Sequence, residues 1–415
     1  MGCKITNPYL AASILTMGGV NMGLVLIFTA FTFFEKKDAV KIMTEFNKGF
    51  ADADLFTAIG YIGALIGSLL IHPCVGAFGK RWCGFICAFF GTFAWIVLGL
   101  GLKKYEWILT FRFFTGMTAG LYATITPGFT TSLAPEGKIN LFGFFNQVGI
   151  CIGFILVTIL GIYIQDWKKV SFCCCVPSAI LFIFILFIDE PMPSGSAAPC
   201  FQVFKYWKEL IIAFFCVFFL QFSGINAVSA NMGGITAGLG QKGIIISIVA
   251  NVVNLLGTLA SSIVVDRFGN LICWTVSAFG QLIGFIFLIV YAFKFAPSDN
   301  KDRGLPIFLV GLYFEQFFFG IGVGPIPFSY AATIFKPELI PAGMAFTSAC
   351  NWGSGSILLL VNQKLQKANA DYQYSYIFFA IFLVLALIFG FIVFTKKKSD
   401  GDSKAKSDSG SGDEV

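Results

Sequence analysis

Four amide side chains stand inside segments that are otherwise apolar: Gln147, Gln221, Asn226 and Asn254. An amide donates and accepts hydrogen bonds at once and carries no charge, so it can answer both roles of a hydroxyl group. An amide left without a partner in an apolar helix is costly. These side chains therefore either bind a neutral ligand rich in hydroxyl groups or hydrogen-bond to neighbouring helices.

The histidine and cysteine side chains, which could carry chemistry, form no recognisable catalytic or metal-binding cluster. The chain has one histidine, His72, and 12 cysteines, which fall mostly within apolar runs and include no pair of CxxC motifs. One histidine cannot build a metal site alone, and no nucleophile-base set or phosphate-binding loop occurs. We therefore predict no enzyme activity, no metal and no cofactor, and interpret the cysteines as small packing residues.

The segments that hold these residues are too apolar for a soluble protein. Of 415 residues, 57% are hydrophobic and 12% are charged, whereas a soluble domain carries roughly 25% charge. The mean hydropathy is +0.82. This composition excludes a disordered chain, a disulfide scaffold and a nucleic-acid binder, and it makes the lipid bilayer the expected partner of the apolar surface.

Twelve apolar stretches each reach the roughly 20 residues that a helix needs to cross a bilayer. Their approximate ranges are 10–34, 55–78, 82–102, 107–133, 141–164, 170–188, 208–232, 243–265, 271–293, 305–335, 340–362 and 374–395. They are apolar on every face, which predicts helices and excludes the alternating strands of a barrel. We predict an all-α membrane protein of twelve transmembrane helices in two six-helix bundles, with a site between the bundles.

Polar interruptions divide the chain into four parts. They predict an N-terminal bundle (1–188), a short central cytoplasmic linker (189–207), a C-terminal bundle (208–395) and a disordered cytoplasmic tail (396–415). Both termini are then cytoplasmic, although lysine and arginine are nearly balanced between the two sides and do not fix the orientation. Gly2 and Cys3 fit a lipidation pattern, which leaves a lipidated and an unmodified N-terminus as alternatives.

Short motifs recur along the chain at characteristic spacings. They are Arg112-Phe113 in the fourth span, Asn146-Gln147 in the fifth, Gln221 to Val228 in the seventh, Asp266 to Gly269 after the eighth, Gly324 to Pro327 in the tenth and Asn351-Trp352 in the eleventh. In this order they resemble the motifs of the sugar porter family of the major facilitator superfamily, and in particular those of the facilitative glucose transporters. The resemblance extends from the first span to the eleventh.

The resemblance implies a fold and a set of substrate contacts. It implies the major facilitator fold and a monosaccharide held by Gln147, Gln221, Asn226, Asn254, Phe319, Phe328, Asn351 and Trp352. Phe328 stands where the family has a tryptophan. Arg112 becomes a positional or structural cation, and Pro325 and Pro327 are expected to break the tenth helix and give it the bend that gating requires.

Several family positions differ in this chain. The first glutamine of the seventh span is Leu220, the glutamate of the tenth span is Gly320, the paired tyrosines are Ala230 and Asn231, and an asparagine of the eleventh span is Gly355. The charged inner-gate positions are Gly76, Ser132, Ile139, Asn270, Thr333 and Ile340. Substrate preference is therefore expected to differ from glucose, and the inner gate to hold fewer charge pairs.

Asn21 stands where proton symporters of the family have an aspartate. Because a neutral amide cannot carry a proton, we predict a facilitative uniporter for a hexose such as glucose or fructose, working by alternating access in the plasma membrane. The alternatives are a proton-coupled symporter for a sugar or polyol and a sugar sensor that does not transport. Glu315 in the tenth span is either a proton site or a residue near the outer headgroups.

Overall fold

The computed structural model describes residues 4–32, 42–47, 50–164, 166–190, 200–230, 232, 235, 241–296, 301–368 and 372–408. The described α-helices are α1 (Pro8–Thr32), α2 (Ile42–Glu45), α3 (Phe50–Gly99), α4 (Tyr105–Ser132), α5 (Ile139–Tyr163), α6 (Trp167–Cys174), α7 (Val176–Phe184), α8 (Trp207–Phe222), α9 (Ile225–Ala230), α10 (Gln241–Lys294), α11 (Lys301–Ile321), α12 (Ile326–Ile334), α13 (Ile340–Ala368) and α14 (Gln373–Asp408). Short 3-10 helices cover Ile185–Phe187, Cys200–Tyr206 and Pro337–Leu339.

These helices make twelve membrane crossings, which confirms the predicted fold class. α3 and α10 are 50 and 54 residues long, and each contains two crossings that meet at a corner. The corners are Gly79, with φ 79° and ψ 166°, and Gly269, with φ 78° and ψ 169°. This backbone region is open essentially to glycine alone. Three further crossings are split in two, as α6 with α7, α8 with α9 and α11 with α12.

The fourth crossing, α4, is surrounded by protein and is correspondingly polar. Of its 28 residues, 18 are buried, and its threonine hydroxyls bond within the helix, as from Thr118 to the carbonyl of Thr115 at 2.8 Å. A Cβ on Gly116 would overlap the backbone of Gly60 in α3. Small residues therefore let α3 and α4 approach closely.

The buried apolar side chains form two large clusters. One draws almost wholly on residues between 11 and 188, the other almost wholly on residues between 216 and 394. Neutral hydrogen bonds join the two halves: the hydroxyl groups of Ser68 and Ser348 lie 2.8 Å apart, and Nδ2 of Asn251 donates to Oγ1 of Thr158 at 3.1 Å. Both contacts are made without charged groups.

The N-terminal segment of the chain contacts the residues at the end of the first bundle. The amide of Ile5 donates to the carbonyl of Phe187 at 2.9 Å, and Nζ of Lys4 lies 2.8 Å from a carboxylate oxygen of Asp189. The N-terminal segment and the start of the linker therefore lie on the same side of the membrane. Gly2, Cys3 and linker residues 191–199 lie outside the described part of the chain.

The final helix is longer than the sequence predicts. α14 continues to Asp408, so residues 396–408, predicted as disordered tail, are helical. The reason is that a helix already nucleated inside the membrane adds further residues at little cost. The other predicted domain boundaries stay predictions.

Candidate functional site

A cavity of about 30 Å³ lies between the two halves of the molecule. It has room for about two water molecules. Seven of the eight predicted substrate contacts line it: Gln147, Gln221, Asn226, Phe319, Phe328, Asn351 and Trp352. Apolar side chains such as Leu26 and Phe154 complete the wall. A hexose is larger than this space.

The break in the seventh crossing joins three of the amides. Gly224, between α8 and α9, has a φ of 93°, which favours glycine. Across the break, Nδ2 of Asn226 donates to Oε1 of Gln221 at 2.7 Å. Nε2 of Gln221 in turn donates to Oδ1 of Asn351 in α13 at 2.9 Å. The break thus builds a hydrogen-bonded row of amides at the cavity wall.

Gly355, one turn after Asn351 in α13, leaves room for this row. A Cβ at Gly355 would lie 2.8 Å from Cε1 of Tyr61 and 3.1 Å from Cδ of Gln221. Both distances are shorter than ordinary van der Waals contact. The asparagine found here in the resembling family would therefore displace Gln221, which gives a physical reason for the glycine.

Trp352 lines the cavity and carries a hydrogen-bond donor that no described residue accepts. Its side chain is 1% exposed, and its ring packs edge-on against Tyr61 with centroids 5.4 Å apart. Its Nε1 atom has no hydrogen-bond partner among the described residues. A buried donor without a partner costs free energy, so a ligand hydroxyl that accepts this bond gains stabilisation.

The tenth crossing breaks between α11 and α12, as its prolines predict. The amide of Gly324 bonds to the carbonyl of Phe319 at 3.0 Å, and α12 starts directly after Pro325. Phe319 and Phe328 lie on either side of the break and both face the cavity. The gating role of Pro325 and Pro327 stays a prediction.

Asn254 does not line the cavity and lies behind its wall. Its Nδ2 atom donates to Oε1 of Gln316 at 3.2 Å, and its Oδ1 atom accepts from the thiol of Cys151 at 3.5 Å. Sequence reasoning missed both partners. Gln316 carried the same signal as the other amides, a polar group in an apolar span, and Cys151 follows Gln147 by one helical turn.

Asn21 and Arg112 lie behind the wall as well, and both are fully buried. Nε1 of Trp95 donates to Oδ1 of Asn21 at 2.8 Å. Nη2 of Arg112 donates to the carbonyl of Val25 at 2.9 Å, and its guanidinium carbon lies 5.2 Å from the centre of the Phe56 ring. A backbone carbonyl and aromatic faces thus surround this cation, consistent with the expected positional or structural role.

Glu315 is enclosed by protein and is not exposed near the headgroups. Its side chain is 0% exposed, and neither carboxylate oxygen has a hydrogen-bond partner among the described residues. α10 passes close by, since a Cβ at Gly284 would lie 2.8 Å from the amide nitrogen of Glu315. Glu315 is not among the residues that line the cavity.

The chain is similar to known transporters over most of its length. The family described as "Sugar (and other) transporter" matches residues 8–193 and 192–400. The mouse protein "Solute carrier family 2, facilitated glucose transporter member 3" is 24% identical over 355 residues, 73% of this chain and 71% of its own. "Sugar transporter ERD6-like 12" of Arabidopsis thaliana is 22% identical over 366 residues, 76% of this chain and 77% of its own.

Solved structures share the fold. A structure of the major facilitator proton:xylose symporter XylE bound to 6-bromo-6-deoxy-D-glucose superposes with a TM-score of 0.79 at 19% identity, covering 93% of this chain and 95% of that one. The inward-open xylose transporter XylE from E. coli gives a TM-score of 0.70 at 20% identity, covering 92% and 95%. The fold is that of the major facilitator superfamily.

Proposed function

This chain belongs to the sugar transporter family of the major facilitator superfamily, and on that premise we propose that it is a facilitative hexose uniporter working by alternating access. Family and fold are those of an integral, multi-pass membrane transporter. The mouse relative is named a facilitated glucose transporter, which makes glucose and similar monosaccharides the first substrates to test.

The chemistry of the cavity wall supports a neutral, hydroxylated substrate. The lining side chains comprise amides, an indole, phenyl rings and aliphatic groups, and none of them is charged. Each sugar hydroxyl donates and accepts at once, which amides can match. The row Asn226, Gln221 and Asn351 supplies such groups at the cavity wall.

Asn21 carries the uniport proposal. A proton symporter needs a titratable group whose protonation changes during transport, whereas the amide of Asn21 is neutral and hydrogen-bonded to Trp95. Its neighbour Arg112 is held by a backbone carbonyl. This first-span position therefore cannot tie sugar movement to a proton, and net flux is expected to follow the sugar gradient.

The test is uptake of radiolabelled glucose and fructose by the purified full chain in proteoliposomes. We expect uptake to stop when the internal and external concentrations are equal, to accelerate with unlabelled sugar inside, and to ignore an imposed proton gradient. Gln221→Ala is expected to reduce uptake severely, since Gln221 bonds to two other amides. Sugar binding without any uptake would contradict transport and favour a sensor.

Proton-coupled symport is a second candidate because of Glu315. An ionisable side chain buried in a span without a hydrogen-bond partner is a functional hypothesis by default. Accumulation of sugar above the external concentration, driven by a proton gradient and abolished by Glu315→Gln, would establish this candidate and reject uniport. If Glu315→Gln takes up sugar at the wild-type rate and the rate does not depend on the proton gradient, uniport is the mechanism.

We also assign the transporter to the plasma membrane with both termini cytoplasmic. The contact between the N-terminal segment and the start of the linker supports a common side for these two segments. The chain then divides into a bundle at 1–188, a linker at 189–207 and a bundle at 208–395. Protease protection of epitope tags at the two ends, in sealed right-side-out vesicles, tests the orientation.

A further inference from the structure

The tenth crossing cannot carry a polar side chain at Gly320, where the resembling family has a glutamate near the sugar. A Cβ there would lie 2.6 Å from the carbonyl oxygen of Asn254 and 2.6 Å from the amide nitrogen of Thr258. Both atoms belong to the α10 backbone and cannot move aside cheaply. The close approach of α11 and α10 therefore excludes any side chain at this position.

One helical turn earlier, α11 presents Gln316 instead. It is 0% exposed, and its Oε1 atom accepts from Nδ2 of Asn254 at 3.2 Å. Its Nε2 atom reaches Oγ of Ser229, in α9, at a long 3.5 Å. Gln316 thus links the seventh crossing to the eighth.

The oxygen of the Asn254 amide contacts a residue of the N-terminal half. The thiol of Cys151 donates to Oδ1 of Asn254 at 3.5 Å and also lies 3.6 Å from Oγ1 of Thr258. The amide of Asn254 is therefore fixed at both ends, with its nitrogen toward Gln316 and its oxygen toward Cys151. Rotation of the Asn254 amide alone by half a turn would place its oxygen against Oε1 of Gln316, so that two acceptors face each other, and would leave its nitrogen with only the weakly accepting sulfur of Cys151.

We propose that Gln316 is a specificity-determining positioning residue, which sets whether Asn254 offers a donor or an acceptor to the sugar. The proposal rests on the proposed hexose transport. When the halves separate and a sugar enters, an amide with fixed polarity discriminates between hydroxyls that can and cannot match it. Without Gln316 the amide is free to turn, so it accommodates either kind of hydroxyl and discrimination falls.

The experiment compares uptake of glucose with that of its singly deoxygenated analogues by the full chain in proteoliposomes. The analogue to use is one that the wild type transports less efficiently than glucose and that Asn254→Ala transports as efficiently as glucose. Gln316→Met, similar in volume and unable to hold the amide, is expected to lower the ratio of kcat/KM for glucose to that of this analogue by roughly three- to tenfold, the effect of one hydrogen bond. The double variant of Gln316→Met and Asn254→Ala is expected to show no greater fall in this ratio than Asn254→Ala alone.

Gln281→Met is the matched control, because Gln281 is also a fully buried amide but donates to Ser277 within α10. It is expected to keep the wild-type ratio. A Gln316→Met protein that keeps the ratio, or a control that loses it equally, would overturn the proposal.

If Gln316→Met does not fold, Cys151 tests the same arrangement from the opposite end. Cys151→Ala is expected to weaken the discrimination and Cys151→Ser, which retains a donor, to preserve it. Equal behaviour of these two variants would also overturn the proposal. Absence of hexose uptake by the wild type is a different result, since it would reject the proposed function itself.

Discussion

The indole nitrogen of Trp95 donates a 2.8 Å hydrogen bond to Oδ1 of Asn21. The other end of that amide, Nδ2, has no hydrogen-bond partner among the described residues, and neither have Nε and Nη1 of Arg112. Arg112 donates to the carbonyl of Val25, one turn along α1 from Asn21. A carboxylate at position 21 would keep the bond to Trp95 and would place a negative charge on α1 one turn from the carbonyl that Arg112 contacts.

Asn21→Asp is therefore expected to create a proton-sensitive transporter. An aspartate here can exchange a proton and pair with Arg112 in its ionised form, so uptake should respond to an imposed proton gradient that leaves the wild type unaffected. The measurement is initial uptake in proteoliposomes with and without a protonophore. Asn21→Ala serves as the control: it loses the bonds from Trp95 and Ser178, about 1 kcal/mol each, and should gain no such response.

Trp352→Phe is expected to weaken sugar binding and to cost less stability than the loss of a bonded indole. The substitution removes an N–H group that has no partner among the described residues and keeps an aromatic ring against Tyr61. The KM for hexose should rise by roughly three- to tenfold, the effect of one hydrogen bond, while the unfolding temperature in detergent should fall only by the cost of the smaller buried ring.

Trp274→Phe provides the contrast to this prediction. Nε1 of Trp274 donates to the carbonyl of Ala386 at 2.8 Å, and Trp274 is not among the residues that line the cavity. Its loss should lower the unfolding temperature and leave the KM as it was. The same KM shift in both variants would contradict a substrate contact for Trp352.

Gly355→Ala is expected to impair both transport and stability. The new methyl group would press on Tyr61 and Gln221, which typically costs about 1–3 kcal/mol in a packed core and disturbs the amide row. Gly353→Ala, two residues earlier in the same helix, meets nothing within 4 Å and should behave like the wild type. Unfolding temperature and hexose KM are the two measurements.

Gly269→Ala is expected to lower stability through the backbone alone. A Cβ at Gly269 meets nothing within 4 Å, but its φ of 78° lies in a region essentially reserved for glycine, so the cost is about 1–3 kcal/mol. Gly76→Ala, also with open space around it but inside a regular helix, should be neutral or slightly stabilising. Thermal unfolding that is equal in the two variants would exclude backbone strain at this corner.

The amino-acid sequence alone was enough to predict the crossings and most of the cavity wall. Apolar runs of membrane length and the prolines of the tenth span act locally, because lipid forces helices and prolines interrupt them. The amides Gln147, Gln221 and Asn226 stood out for a related reason: a polar group in a lipid-spanning helix needs a partner.

Only the tertiary structure decided which helix faces meet. It put Asn254 behind the wall with Gln316 and Cys151, left Nε1 of Trp352 without a partner, and enclosed Glu315 in protein. A helix in this chain is apolar around most of its circumference, so its pattern does not reveal which side faces lipid, a neighbour or the substrate. That choice follows from close backbone approaches, such as those at Gly320 and Gly355, which exist only when two distant segments pack together.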